Sequence, residues 1–97
     1  MKVRSFAHRG LSRLYNTGNT QGVAPETADK LRKMLAFLDA MEDPKELRAL
    51  KVWKPHVLGG NRRGTWSLAV TANYRLTFRI AKAAEPEIIE LNLEDYH

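Results

Sequence analysis

Residues 64–80, Gly-Thr-Trp-Ser-Leu-Ala-Val-Thr-Ala-Asn-Tyr-Arg-Leu-Thr-Phe-Arg-Ile, alternate apolar and polar side chains in two consecutive runs. Trp66, Leu68 and Val70 interleave with Thr65, Ser67, Ala69 and Thr71. Tyr74, Leu76, Phe78 and Ile80 then interleave with Arg75, Thr77 and Arg79. A period of two over runs of this length specifies strands, and the short break between them specifies an antiparallel hairpin. Ala72-Asn73 supplies the turn, since Asn tolerates positive φ, and a two-residue turn is the expectation there. One face of the hairpin is apolar and needs a cover. The other carries Arg75 and Arg79 on one parity, which makes it either a solvated outer surface or a phosphate site.

The rest of the chain provides the cover. Val3 and Phe6 flank Arg4 and Ser5 in a short opening strand. Ala7, Leu11, Leu14 and Tyr15 fall at helical spacing over 8–16, where Gly10 costs about 1 kcal/mol against Ala. Leu31, Met34, Leu35, Leu38 and Met41 form an i, i+3, i+4, i+7, i+10 stripe on a second helix from about Thr27 to Met41, with Pro25 suited to its first turn and charged Lys30 and Lys33 off the stripe. Asp43-Pro44-Lys45-Glu46 reads as a capped helical turn through Leu47. Leu50–Val57 reads as extended, with Pro55 placing it at an edge. Gly59-Gly60-Asn61-Arg62-Arg63-Gly64 is a basic loop, and Glu87–Leu93 is a last strand. This order gives one α+β domain over 1–97, with an antiparallel sheet and two to three helices on one face.

The distribution of charge points to a polyanion. Residues 1–24 hold four bases and no acid. Residues 48–82 hold eight bases (Arg48, Lys51, Lys54, Arg62, Arg63, Arg75, Arg79, Lys82) and no acid, whereas residues 83–97 hold five acids and no base. Surfaces selected only for solubility mix signs, so a 35-residue run without an acid suits a polyanion partner, or in part a basic segment neutralised internally by the acidic tail. Arg9, Arg13, Lys51, Lys54, Arg62, Arg63 and Arg79 are the candidate RNA contacts. The chain has no cysteine, which excludes disulfides and thiolate metal sites, and its histidines, His8, His56 and His97, lack zinc spacing. No metal or cofactor is expected. With no leader and no membrane-spanning stretch, the expected compartment is the cytoplasm, with no membrane partner.

Three fragments carry groups suited to chemistry. His56 closes one strand, Arg75 begins another, and Asp95, Tyr96 and His97 end the last. Antiparallel neighbours bring such ends to one side of a sheet. Cleavage of RNA through its own 2′-hydroxyl needs a base for that hydroxyl, an acid for the leaving 5′-oxygen and a cation for the charge growing on phosphorus. Imidazole serves either proton role, and the planar fork of arginine binds two phosphate oxygens. Each group also has a plainer use: Asp95 pairs with arginine, Tyr96 stacks on a base or lies on the surface, and a chain-terminal histidine often does nothing.

The segments Pro-His-Val-Leu-Gly-Gly (55–60), Gly-Thr-Trp-Ser-Leu-Ala-Val (64–70), Asn-Tyr-Arg-Leu-Thr-Phe (73–78) and Glu-Asp-Tyr-His (94–97), with Arg-Ser-Phe-Ala-His-Arg-Gly-Leu (4–11), resemble the HigB branch of the RelE-like toxins. The resemblance implies a small RelE-like fold with an antiparallel, mixed-edge sheet and a ribosome-dependent mRNA endonuclease acting in the decoding site. It also implies a cognate helix-turn-helix antitoxin as partner, besides the ribosome and mRNA. By motif, His56, Arg75, Asp95, Tyr96 and His97 would be its active residues. One departure stands out. The family's block usually reads His-Pro-Leu-Lys-Gly, and here Gly59 occupies the lysine position, so either activity is weak or Arg62 and Arg63 supply the charge.

Overall fold

The computed structural model describes residues 1–95. Helix α1 (Arg9–Thr17) and helix α2 (Ala28–Ala40) precede four strands, β1 (His56–Val57), β2 (Trp66–Ala69), β3 (Tyr74–Ala81) and β4 (Glu87–Asp95). The strands form one antiparallel meander in the order β1-β2-β3-β4. Val3 and Phe6 make parallel bridges to Ile88 and Leu91, so the opening segment lies along the outer side of β4 and the sheet edge is mixed, as anticipated. No helix among the described residues is long and apolar enough to cross a membrane.

Each helix begins where its sequence predicts. His8 caps α1, its Nδ1 accepting from the Leu11 amide at 3.1 Å. Burial lowers the pKa of this imidazole, which favours the neutral form that can accept. Pro25 opens a 3₁₀ turn that runs into α2, and Asp43 with Glu46 forms a capping box on the 3₁₀ segment Pro44–Ala49. Leu11 and Leu14 of α1 and Leu31, Met34, Leu35 and Leu38 of α2 close over Leu68, Leu76, Phe78, Ile88 and Leu91 of the sheet. Gly10 has a use that helix propensity hides. A Cβ there would sit 2.1 Å from the Gly22 carbonyl oxygen, so α1 lies against the loop backbone only because both positions lack a side chain.

Two expectations need correction. The hairpin does not turn on Ala72-Asn73 alone. Trp66 faces Phe78, Leu68 faces Leu76 and Val70 donates to the Tyr74 carbonyl, leaving Thr71, Ala72 and Asn73 as a three-residue connection. A two-residue turn would set Leu68 against Thr77 and send the apolar sets of the two strands to opposite faces, so burial selects the longer loop. Thr71 Oγ1 secures it by accepting from the amides of Asn73 and Tyr74. Nor is Leu50–Val57 extended throughout: Lys51–Trp53 is a 3₁₀ turn, Lys54 has φ 47°, and only His56 and Val57 pair with β2. Trp53 packs edge-on against Phe37 of α2 at 5.6 Å.

Strand β4 carries a bulge that matters for the site. Thr77 faces Asn92 while Arg79 faces Ile89, so β4 spends three residues against two on β3, and Glu90 takes φ 56°. The Ser5 hydroxyl and carbonyl receive the Glu90 and Leu91 amides released there. The extra residue reverses the alternation of β4. Ile88 and Leu91 both reach the core, and Asn92 and Glu94 are brought to the open face beside Thr77 and Arg75.

Candidate active site

The face of the sheet away from the helices holds a cleft of about 230 Å³, lined by His56, Leu58, Arg62, Ser67, Arg75, Thr77, Glu94 and Asp95. Pairing places most of them. His56 lies opposite Ser67 and Ser67 opposite Thr77, while Arg75 lies opposite Glu94 and Tyr74 opposite Asp95. Arg62 enters from the 3₁₀ turn Gly60–Arg62 of the basic loop.

At one end of the cleft, Arg75 Nη1 lies 3.1 Å from His56 Nε2 and donates to Ser67 Oγ at 2.8 Å. His56 Nδ1 lies 3.0 Å from the Lys54 carbonyl, which can only accept, so Nδ1 carries the proton and Nε2 offers its lone pair toward Arg75. The αL conformation of Lys54 turns that carbonyl onto the ring. Imidazole tautomer, guanidinium orientation and the Ser67 hydroxyl are thus set by one chain of hydrogen bonds.

At the other end, Arg62 grips Glu94 with both terminal nitrogens, Nη1 to Oε1 at 3.0 Å and Nη2 to Oε2 at 2.5 Å. The Thr77 hydroxyl also donates to Glu94 Oε2. Arg62 holds the Glu94 carboxyl below the usual carboxylate range; burial opposes this and Thr77 assists it. Glu94 is therefore a carboxylate whose charge is matched by an arginine, in a cleft that also carries Arg75 and Asp95.

The structure gathers His56, Arg75, Asp95 and Arg62 in this cleft. Tyr96 and His97 lie outside the described residues. Arg79 lies on the same strand face as Arg75, four residues on, and donates to the Arg63 carbonyl at 3.1 Å, while Arg63 is exposed and does not line the cleft. Lys51 and Lys54 are exposed on the turn before β1; Arg9 and Arg13 are exposed on α1, in the helical layer, and line no part of the cleft. Sequence reading assigned no role to Ser67, Thr77 or Glu94. Ser67 and Thr77 share the polar parity of Arg75 on their strands and are buried, and that parity was the available signal. Glu94 had none, because its face depends on the bulge at Glu90.

Known proteins resemble this chain in sequence and in fold. A family model described as the RelE-like toxin of the type II toxin–antitoxin system HigB matches residues 4–97. The chain is 37% identical over 95 residues to Endoribonuclease HigB of Proteus vulgaris, covering 98% of this chain and 99% of that protein. Among solved structures, the YoeB/ParE toxin from Agrobacterium tumefaciens superposes with a TM-score of 0.59 at 18% identity, over 97% of this chain and 99% of that one, which establishes the shared fold.

Proposed function

The chain belongs to the HigB-like family of RelE-like toxins of type II toxin–antitoxin systems, and on that premise we propose that it is an endoribonuclease that stops translation by cutting mRNA in the ribosomal decoding site. The observation that carries this reading is the contact of Arg75 with both His56 Nε2 and Ser67 in a cleft of about 230 Å³ on the open face of the sheet. An incoming phosphate competes for the Arg75 fork. As the guanidinium turns to two phosphate oxygens, Nε2 is released next to the reacting group, and the imidazole becomes available to move a proton.

The reaction balances without an added cofactor. A base removes the 2′-hydroxyl proton, the 2′-oxygen attacks phosphorus, the P–O5′ bond breaks, and an acid returns a proton to the 5′-oxygen. The products are a 2′,3′-cyclic phosphate and a 5′-hydroxyl. His56 takes one proton role; Asp95, Tyr96 and His97 supply the other; Arg75 and Arg62 counter the charge on the phosphate. Lys51, Lys54, Arg9, Arg13, Arg63 and Arg79 give a longer-range attraction to ribosomal and messenger RNA. An antitoxin partner follows from the family, and we assign it a helix-turn-helix domain and the pair a cytoplasmic location, where ribosomes translate.

The test is expression without the antitoxin, followed by mapping of mRNA 5′ ends. Cuts within codons that vanish when initiation is blocked support the proposal. Cuts that persist on untranslated RNA replace the ribosome-dependent nuclease with a free one, and growth arrest without cuts replaces it with a binding inhibitor of translation.

A further inference from the structure

A second concavity, of about 390 Å³, adjoins the cleft on the open face of the sheet. The two hollows share Arg62, Thr77 and Glu94, so the Arg62–Glu94 pair stands as the wall between them. Beyond it lie Asn61, Arg79, Glu90 and Asn92, to which the cleavage chemistry gives no task. Register sets the offset. Arg75 faces Glu94 and Thr77 faces Asn92, so the hollows are displaced by two residues along β3, roughly 7 Å. That is the scale of one nucleotide step in an extended strand.

The second hollow sets amide and guanidinium donors beside two carboxylates, Glu90 and Glu94. Asn92 Oδ1 accepts from the Leu93 amide at 2.9 Å. Because that partner is an N–H, the oxygen must be the atom that meets it, and Nδ2 is the end the amide presents to a ligand. Arg79 lies 3.8 Å from Glu90 Oε2 in a pair whose side chains are 45% and 62% exposed, a loose contact that a phosphate oxygen can displace. Both carboxylates at the rim already have an arginine, so neither repels an anion with its full charge. A planar amide beside arginine forks is the equipment with which proteins read the edge of an unpaired base and hold its phosphate.

We infer that this hollow is a second nucleotide site, which takes the nucleotide adjoining the scissile phosphate of single-stranded RNA. Asn92 Nδ2 donates to an acceptor on the base edge, Arg79 meets the outer phosphate, and Arg62 spans the step between the two hollows. The inference rests on the ribonuclease reading of the first cleft, and its test does not depend on cleavage.

The full chain, labelled with ¹⁵N, is titrated with 2′-O-methyl oligoribonucleotides of one, two and three residues, whose blocked 2′-oxygen prevents reaction. The expected result is that the single nucleotide shifts His56, Ser67 and Arg75, and that two or three residues also shift the Asn92 side-chain amide, Asn61 and Arg79. Asn92→Leu, with Asn92→Ala as the alternative if it misfolds, then weakens the longer ligands about fivefold, the net worth of one hydrogen bond, without weakening the single nucleotide. Shifts confined to the His56 side at every length overturn the second site and leave the first. Shifts in neither hollow overturn the second site and leave ribosome-dependent cleavage to its own test, and shifts at Asn92 with none at His56 overturn the adjoining role.

Discussion

Arg62→Ala should harm cleavage for two separable reasons. The first is the loss of a cation near the phosphate, worth less than the ~10²–10³-fold of one well-placed donor because both terminal nitrogens of Arg62 are held by Glu94. The second comes from Glu94. Its carboxylate is held by both Arg62 nitrogens and by Thr77, and the substitution leaves that charge bare in a cleft that must accept a phosphate. At about 6 Å and an effective dielectric of about 20, the repulsion is about 3 kcal/mol. The two side chains are 49% and 27% exposed, so water and salt screen it to roughly 1–1.5 kcal/mol, about tenfold in rate. Arg62→Ala combined with Glu94→Gln should therefore cut about tenfold faster than Arg62→Ala alone. Gly59→Lys added to Arg62→Ala should also recover activity, because a Cβ at Gly59 meets nothing within 4 Å and its φ of −106° suits any residue. In the otherwise unchanged chain the same lysine should add little. Single-turnover cleavage on programmed ribosomes, at protein levels matched by urea-unfolding controls, separates these cases. If the Arg62→Ala/Glu94→Gln variant is no faster than Arg62→Ala, the phosphate does not feel Glu94, and the electrostatic account of the cleft fails.

Three further outcomes are expected. Gly10→Ala should lower the urea midpoint: the helical gain of about 1 kcal/mol is outweighed by the overlap with the Gly22 carbonyl, whose backbone cannot yield and whose overpacking costs about 1–3 kcal/mol or more; a raised midpoint refutes the close approach. Arg75→Lys should lose most activity, since lysine keeps the charge but not the planar fork that binds two phosphate oxygens, and wild-type turnover would reduce Arg75 to a point charge. Glu94 has a lowered folded-state pKa, so its contribution to stability is present above the unfolded value, about 4.3, and is lost as pH falls through the folded one. Unfolding free energy measured from pH 6 down to pH 3 should consequently fall less steeply in Glu94→Gln than in the parent; equal slopes would mean that the pair with Arg62 gives Glu94 no preference for its ionised form.

Much of this protein follows from local pattern. The period of two over 64–80 determined the central hairpin, the stripe from Leu31 to Met41 determined the helix that covers it, and Asp43-Pro44 with Glu46 determined a capped turn, because each depends on neighbours a few residues away. The acid-free run and the fragments at His56, Arg75 and Asp95 were legible for the same reason: charge and chemical type do not depend on folding. Three features needed the tertiary structure. The hairpin loop has three residues instead of two because only that register lets Leu68 and Leu76 share the core. Gly10 is required by the backbone of Gly22, a residue distant in sequence that only packing brings near. Glu94 reaches Arg62 because a bulge at Glu90, anchored by Ser5 from the far end of the chain, shifts the alternation of β4 by one. Sequence determines which groups a strand carries; which face they occupy is decided by the summed burial of every strand and helix packed against it.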